Sequence, residues 1–101
     1  MKVYKTFHIA GIAYYEALFV IEGLKIGDKL RLKPEENMYD EHAVAVYYQE
    51  KKLGYLPKQA NYSISVILRK GWDIFDVYVQ RIDRDALGID IAVFVRENVS
   101  N

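Results

Sequence analysis

Apolar and polar residues alternate along several short stretches of the chain, with the two-residue period typical of half-buried β-strands. In the first stretch Phe7 and Ile9 are the expected inward pair, and in a later one Leu30 and Leu32 alternate with outward cations. Turn-forming residues separate these stretches from one another. The pattern predicts strands at residues 3–10, 29–33, 43–48, 53–56, 74–82 and 89–95.

One stretch has the helical period instead. Its apolar residues fall at i, i+4, i+7 and i+8, which places them on one face of a helix. Pro57 suits the first turn of a helix, and Gly71 suits the left-handed position just past a helix end. We therefore predict a helix that starts near Pro57 and ends just before Gly71. Its inward residues are Ala60, Ile64, Ile67 and Leu68.

Two adjacent tyrosines follow the first strand. Gly11 allows a bulge before them, and we expect Tyr14 and Tyr15 to lie on a strand. Successive side chains of a strand point to opposite faces, so one ring is expected in the core and the other at the surface.

These elements predict a mostly β fold of about six strands with one or two helices. Many short strands joined by glycine-containing turns favour a small closed or partly open barrel, because closure removes exposed edges. At 101 residues the chain is expected to form one domain, residues 1–101, with a frayed tail at residues 97–101.

Composition narrows the classes of function. Fourteen basic residues balance fourteen acidic ones, which argues against wrapping duplex DNA, because that requires an excess of Lys and Arg. The absence of cysteine excludes disulfides, thiolate metal sites and Cys nucleophiles. No apolar run is long enough to span a bilayer, and residues 1–5 lack the apolar segment of a signal peptide. We therefore expect a cytoplasmic protein with no membrane partner.

A polar, turn-prone run at residues 37–42 leads directly into the strand at 43–48. Asn37 or Asp40 suits an Asx-turn, in which the side chain bonds nearby backbone amides, and these residues alone favour that interpretation. The alternative is a binding site, because the same run aims an amide, the ring of Tyr39 and a carboxylate from the start of a strand.

Several residues would together suit a single strand of nucleic acid, in which bases stack on aromatic rings and a lysine meets phosphate. They are one of Tyr14 and Tyr15, together with Asn37, Tyr39, Asp40 and Lys58. A carboxylate repels the phosphate backbone, so Asp40 fits such a site only where the strand ends, as an acceptor for a terminal hydroxyl. Each residue also has a structural interpretation: Tyr39 as a barrel cap, for example, and Lys58 as a solvated lysine.

Motifs of catalysis and of phosphate cradling are absent from the sequence. A metal site could draw on Asp40, His42, Glu35, Glu36 and His8, but the paired-histidine helical motifs are missing. We expect no enzyme, no metal and no cofactor. Two alternatives to nucleic-acid binding stay open: a protein-interaction module with an exposed tyrosine patch and, least favoured, a metal-dependent phosphodiesterase.

Three segments, taken in order, resemble the HIRAN domain family. Residues 7–15 are similar to the family's G-x-x-Y-Y turn, residues 37–46 to its N-P-Y-D-x-x-A-[IV]-x-V segment, and residues 53–57 to its [IV]-G-[YH]-[IL]-P step. Met38 stands where the family usually has Pro, and Ala13 where the fork-repair members have Arg. The resemblance implies an OB-like barrel, so that the overall expectation is a small OB-like or SH3-like β-barrel.

The resemblance also implies a function, because well-understood HIRAN domains bind single-stranded DNA at its 3′ end. Tyr14 and Tyr39 would stack on the terminal bases, Asp40 would accept the 3′-hydroxyl beside Asn37, and Lys58 would meet a phosphate. A role in DNA repair or replication-fork processing follows, with a helicase or nuclease acting in trans as a further candidate partner. The implied nucleic-acid-binding residues are Tyr14, Asn37, Tyr39, Asp40, Tyr55 and Lys58.

Overall fold

Six antiparallel strands and two helices are formed by residues 2–96, the part of the chain that this computed structural model describes. The strands are β1 (Lys2–His8), β2 (Lys29–Pro34), β3 (Val44–Tyr48), β4 (Lys51–Tyr55), β5 (Phe75–Asp83) and β6 (Gly88–Val95). The helices are α1 (Ala17–Val20) and α2 (Tyr62–Arg69), and 3₁₀ helices lie at Ile12–Tyr14 and Lys58–Ala60. The strands form one sheet in the order β1-β6-β5-β2-β3-β4. The mostly β prediction is confirmed.

The two edges of the sheet meet at one end of the molecule. Ala10, just past β1, donates its N–H to the carbonyl of Tyr55 at 2.8 Å, and the Tyr55 N–H donates to the carbonyl of Ala10 at 2.9 Å. Gly54 permits this approach, since a Cβ there would lie 2.4 Å from the Ala10 oxygen and 2.7 Å from Cγ2 of Ile9. The sheet therefore curls into the predicted small OB-like barrel.

The core is built from the inward faces of the strands and from α2. Phe7, Ile9 and Leu30 are buried as their alternation predicts, whereas Leu32 is half-buried at the edge of the core. From α2 the deepest contribution is Ile64, which is fully buried. The apolar area removed from water is the main term that stabilises such a fold.

The strand prediction for the two adjacent tyrosines is wrong. Gly11 has φ 70°, a conformation that glycine adopts readily, and it starts the 3₁₀ helix Ile12–Tyr14 instead of a bulge. Ile12 turns into the core, Tyr14 is 86% exposed and Tyr15 is half-buried. The short helix α1 follows directly.

The predicted start of the long helix is also wrong, although its end is right. Pro57 has φ −57° and ψ 136°, which is extended backbone, and α2 begins only at Tyr62. Gly71 has φ 85°, the left-handed geometry expected just past the helix end. In addition, β4 begins at Lys51, which leaves Gln49 and Glu50 as the turn between β3 and β4.

Two further expectations concern the ends of the chain and the membrane. The tail predicted to fray, residues 97–101, lies outside the described residues. Among residues 2–96, no helix has the length and apolar character needed to cross a bilayer.

Candidate functional site

A cavity of about 290 Å³ opens beside the bridge between Ala10 and Tyr55, where the edges of the sheet meet. Five of the six residues expected at the site line it: Asn37, Tyr39, Asp40, Tyr55 and Lys58. Tyr15 lines it as well, together with the apolar residues Ala10, Ala43 and Leu56. The cavity is thus an apolar floor surrounded by tyrosine rings, one carboxylate and one lysine.

Tyr14 does not line this cavity. Its ring stands 86% exposed on the 3₁₀ helix, and the ring of Tyr39 is 80% exposed. Two tyrosine rings with so much free surface offer stacking faces that do not have to be uncovered first. Tyr15, rather than Tyr14, forms the wall on this side.

The turn that carries Tyr39 and Asp40 is held by Asn37. The side-chain oxygen Oδ1 of Asn37 accepts hydrogen bonds from the N–H of Tyr39 at 2.9 Å and from the N–H of Asp40 at 2.8 Å. This is the predicted Asx-turn, so the structural interpretation of Asn37 is right. It also fixes where Tyr39 and Asp40 point, because the turn sets the backbone from which both side chains project.

Asp40 is anchored through both of its carboxylate oxygens. Oδ1 accepts the N–H of His42 at 2.9 Å, and Oδ2 accepts Nδ2 of Asn61 at 2.8 Å. Asn61 is only 2% exposed, so it is a fixed donor. Each carboxylate oxygen has two lone pairs, and half-buried Asp40 therefore keeps acceptor capacity toward the cavity.

Sequence reasoning missed Asn61. An asparagine directly before a helix indicates an N-cap, but the Asn61 side chain makes no capping hydrogen bond and reaches Asp40 instead. Lys58 makes a similar link, since its Nζ donates to the carbonyl of Tyr39 at 2.8 Å. These two links tie the segment between Pro57 and α2 to the turn at residues 37–40.

Tyr55 belongs to a network of three polar side chains. Its hydroxyl donates to Oε1 of Glu35 at 2.8 Å and accepts from Nζ of Lys52 at 2.8 Å, while Lys52 pairs with Oε2 of Glu35 at 2.9 Å. Burial and the hydrogen bond to Glu35 raise the pKa of Tyr55 to about 12, against the opposing effect of Lys52. The hydroxyl of Tyr55 is thus engaged within the protein, and its ring forms part of the cavity wall.

The partners of Tyr55 are held in their charged forms. Burial alone would raise the pKa of Glu35 and lower that of Lys52. Hydrogen bonds and charge–charge attraction within the network together outweigh burial, so the pKa of Glu35 is lowered and the pKa of Lys52 is raised. The Lys52 Nζ also lies 4.9 Å from the ring centroid of Tyr15, whose ring meets that of Tyr55 edge-on at 5.4 Å. The ion pair of Lys52 with Glu35 therefore contacts both tyrosine rings that form walls of the cavity.

A larger cavity of about 450 Å³ lies elsewhere, where β2 separates from β5 after the pair Leu30 and Val77. Its buried charge is Asp76, which bonds Nε of Arg96 at 3.0 Å and lies 3.4 Å from Nζ of Lys29. Burial would raise the pKa of Asp76, but these cations lower it. Asp76 is thus paired with Arg96 and Lys29, which points to a structural role for these charges, and Arg31 also lines the cavity.

No group of three or more metal-binding side chains converges within residues 2–96. The imidazole of His42 packs edge-on against the ring of Tyr62, with centroids 4.8 Å apart. Its link to Asp40 runs through its backbone N–H, not through the ring.

Two solved structures share this architecture. A crystal structure of a protein from Lactobacillus plantarum has a TM-score of 0.80 and 22% identity, and the match covers 93% of each chain. The crystal structure of the HIRAN domain of human HLTF has a TM-score of 0.69 and 18% identity, and that match covers 92% of this chain and 76% of the HLTF chain. At these identities the likeness shows the fold.

Sequence comparison gives the family. No curated protein matched the chain. The HIRAN domain model, however, matches residues 4–97, nearly the whole length. This match includes the turn at residues 37–40 and the step at residues 53–57, which build the cavity described above. The chain therefore belongs to the HIRAN domain family.

Proposed function

We propose that this HIRAN domain binds single-stranded nucleic acid and recognises the 3′-hydroxyl end of single-stranded DNA. HIRAN domains are known as nucleic-acid-binding modules, which supports the general part of the proposal. The observation that supports the specific part is the placement of Asp40, a firmly held carboxylate with acceptor capacity toward a cavity lined by tyrosine rings. We further propose a binding module rather than an enzyme, serving DNA repair or replication-fork processing.

Aromatic stacking would supply much of the affinity. Tyr39, which lines the cavity, and exposed Tyr14, the chain neighbour of Tyr15 in the cavity wall, can each take one base, and stacking contributes about 1–3 kcal/mol per base. Lys58 keeps donors beyond the one that bonds the Tyr39 carbonyl, so it can meet the phosphate that follows the end. This division of roles needs few cations, which fits the zero net charge of the chain.

Specificity for an end would come from the carboxylate. A 3′-hydroxyl can donate to Asp40, whereas a 3′-phosphate would bring a second negative charge to within about 4 Å of it. Repulsion at that distance costs about 1 kcal/mol in bulk water and about 4 kcal/mol near a protein surface. A strand that continues past the site would meet the same penalty, so the cavity should prefer free ends.

The proposal predicts that Asp40→Ala removes the preference for a 3′-hydroxyl. Fluorescence anisotropy would compare single strands that differ only in a 3′-hydroxyl or a 3′-phosphate. We expect the wild type to prefer the hydroxyl at least about fivefold, the lower end of the repulsion given above. In Asp40→Ala the hydroxyl loses its charged acceptor and the phosphate loses its repulsion, so the two affinities should converge.

Glu50→Ala is the matched control, since it also removes one negative charge but lies at the tip of the β3–β4 turn, away from the cavity. It should keep the wild-type preference. Equal wild-type affinity for both strand ends would rule out end recognition, and no binding at low salt would rule out the proposed function altogether.

A second function is favoured by exposed apolar side chains, one of them in the turn that carries Tyr39 and Asp40. Met38 is 87% exposed beside Tyr39, and Phe19 of α1 is 80% exposed. Such side chains are typical of protein interfaces, which supports a protein-interaction module or a helicase or nuclease docked beside the bound strand. Co-purification of one stable partner, with no affinity for single strands, would favour this function over the first.

A further inference from the structure

Three cations share the outer face of β2. Lys29, Arg31 and Lys33 alternate with the inward residues Leu30 and Leu32, so all three side chains point away from the core. Arg31 is the cross-strand partner of Tyr47 on β3, and its guanidinium carbon lies 5.1 Å from the centroid of the Tyr47 ring. The Nζ of Lys33 lies 6.0 Å from the same centroid. We name Arg31, Lys33 and Tyr47 the β2–β3 stripe.

The cations of the stripe differ from the neighbouring lysines in whether a carboxylate lies close to them. Lys29 lies 3.4 Å from a carboxylate oxygen of Asp76, and Lys52 lies 2.9 Å from one of Glu35. Within residues 2–96, neither Arg31 nor Lys33 has a carboxylate oxygen within 4.0 Å. The side-chain hydrogen bond of Arg31 goes to the Gln49 carbonyl, at 3.3 Å. Among the described residues of this face, the stripe therefore carries the positive charge that no carboxylate neutralises within salt-bridge distance.

The stripe is continuous with the cavity. Lys33 pairs across the strands with Ala45, and Ala45 pairs with Tyr55, the cavity wall. Partners across antiparallel strands point to the same face, and neighbouring strands lie about 4.8 Å apart. Lys33 is therefore two strands, roughly 10 Å, from the cavity wall. Ala45 between them is fully buried, and the Tyr55 hydroxyl bonds Glu35, just past β2, from the other side of β3, so a strand that leaves the cavity would pass over these side chains to reach Lys33.

We propose that the β2–β3 stripe is a second contact surface for the single strand, binding the nucleotides on the 5′ side of the end held in the cavity. Arg31 and Lys33 meet backbone phosphates, and Tyr47 offers a ring edge or face for one base. This combination of cations with an aromatic ring tolerates any base sequence. The inference rests on the proposed function, since a strand end in the cavity is what directs the next nucleotides outward along this face.

The stripe predicts that affinity grows with strand length. A strand of roughly three nucleotides fills the cavity only, whereas one of roughly ten nucleotides reaches the stripe as well. Each phosphate contact on a single strand adds about 0.7 to the slope of log affinity against log salt. Two contacts from the stripe should therefore add about 1.4 to the slope measured with the longer strand.

The test uses the double variant Arg31→Gln with Lys33→Gln, which removes two charges and keeps long polar side chains. Its matched control is Lys2→Gln with Lys5→Gln, which removes two exposed cations from the first half of β1, a strand separated from β2 by β6 and β5. Anisotropy would be measured on thymidine strands of roughly three and ten nucleotides, each with a 3′-hydroxyl or a 3′-phosphate, between about 50 and 200 mM salt. Urea unfolding would show that both variants fold.

We expect the stripe variant to lose at least about fivefold in affinity for the long strand and about 1.4 in salt slope, with short-strand affinity and 3′-hydroxyl preference retained. The control should keep the length dependence. An equal loss in both variants, or long and short strands that bind the wild type equally, would overturn the stripe while leaving the cavity proposal standing.

Failure of the proposed function has a different signature. If the wild type does not distinguish the two strand ends, end recognition is refuted, and the length dependence on 3′-phosphate strands still decides the stripe. If poly-glutamate binds as tightly as the long thymidine strand and loses affinity in the same variant, the surface recognises acidic chains in general, and its assignment to nucleic acid is overturned.

Discussion

Asp40 is held in place before any ligand arrives. Its carboxylate accepts from the backbone of His42 and from the buried amide of Asn61, and neither donor has to reorganise when a hydroxyl enters the cavity. A group held in advance loses little conformational entropy on binding. Asn61 is therefore a positioning residue, one that shapes recognition through Asp40 without lining the cavity.

This role predicts that Asn61→Ala weakens the 3′-hydroxyl preference although Asp40 is still present. Without the amide, Asp40 keeps one anchor and can turn toward solvent. The variant should also lose about 1–2 kcal/mol of unfolding free energy, because a buried hydrogen bond to a charged group disappears. Urea unfolding and the ratio of affinities for 3′-hydroxyl and 3′-phosphate strands would measure the two effects.

Ser63→Ala, at an exposed position of the same helix, is the control and should change neither quantity. A loss of stability in Asn61→Ala with an unchanged ratio would mean that Asn61 only supports the fold. The sequence could not reveal this residue, because position 61 falls inside the predicted helix and the partner of Asn61 lies 21 positions away.

Among the elements, the regular strands could be predicted from the sequence, whereas the connecting segments around the site could not. Alternation identifies strands because each inward residue is fixed by the core alone. The conformation of the connecting segment at residues 11–16 depends on partners distant in sequence. The N–H of Glu16 donates to the Lys52 carbonyl at 2.9 Å, and the N–H of Lys52 donates to Oε1 of Glu16 at 2.9 Å. Such contacts leave no local pattern, which is why Tyr15 was not distinguished from Tyr14.

The closure between the sheet edges depends on Gly54. We predict that Gly54→Ala costs about 1–3 kcal/mol of unfolding free energy, because the new Cβ would overlap the Ala10 oxygen and Cγ2 of Ile9 and force the strands apart. The bridge that places Tyr55 in the cavity wall would loosen, so the 3′-hydroxyl preference should fall as well. Urea unfolding and anisotropy would measure both.

Gly23→Ala is the matched control for this prediction. A Cβ at Gly23 would meet only the Val20 oxygen, at the ordinary distance of 3.9 Å. The substitution should be neutral or slightly stabilising, because it lowers the entropy of the unfolded chain. If Gly54→Ala were as well tolerated as Gly23→Ala, the close approach of the edges would not be a constraint on the fold.

For the molecule as a whole, the net charge is zero, but some charged side chains form ion pairs and others do not. Many charged side chains form ion pairs, including Lys52 with Glu35 beside the cavity and Arg96 with Asp76 where β2 separates from β5. Composition alone could exclude a duplex-wrapping protein, but it could not tell which cations remain free of carboxylate partners. That depends on the register of the sheet, which brings Arg31 and Lys33 to the same ring.

These ion pairs make the stability of the fold sensitive to acid. The pKa values of Glu35 and Asp76 are both lowered in the folded protein, so each carboxylate stabilises the fold at pH values above its unfolded pKa, near 4.5 for Glu35 and 3.8 for Asp76. As the pH falls below these values, the unfolded chain binds protons first and the contribution is lost. Unfolding free energy should therefore drop as the pH falls below about 4.5.

Replacing Glu35 by Gln tests this argument, because Gln keeps the size and the acceptor for the Tyr55 hydroxyl but not the charge. We expect Glu35→Gln to lower unfolding free energy by about 1 kcal/mol at pH 7, where the pair with Lys52 is intact in the wild type. The difference in unfolding free energy between the variant and the wild type should shrink as the pH falls through the folded pKa of Glu35, since the wild type loses the same charge there.

Glu50→Gln, exposed at the tip of the β3–β4 turn, is the control and should follow the wild-type curve throughout. Urea unfolding from pH 7 to about pH 3 measures all three curves, and a gap that stays constant with pH would show that the network stabilises the fold by packing rather than by charge.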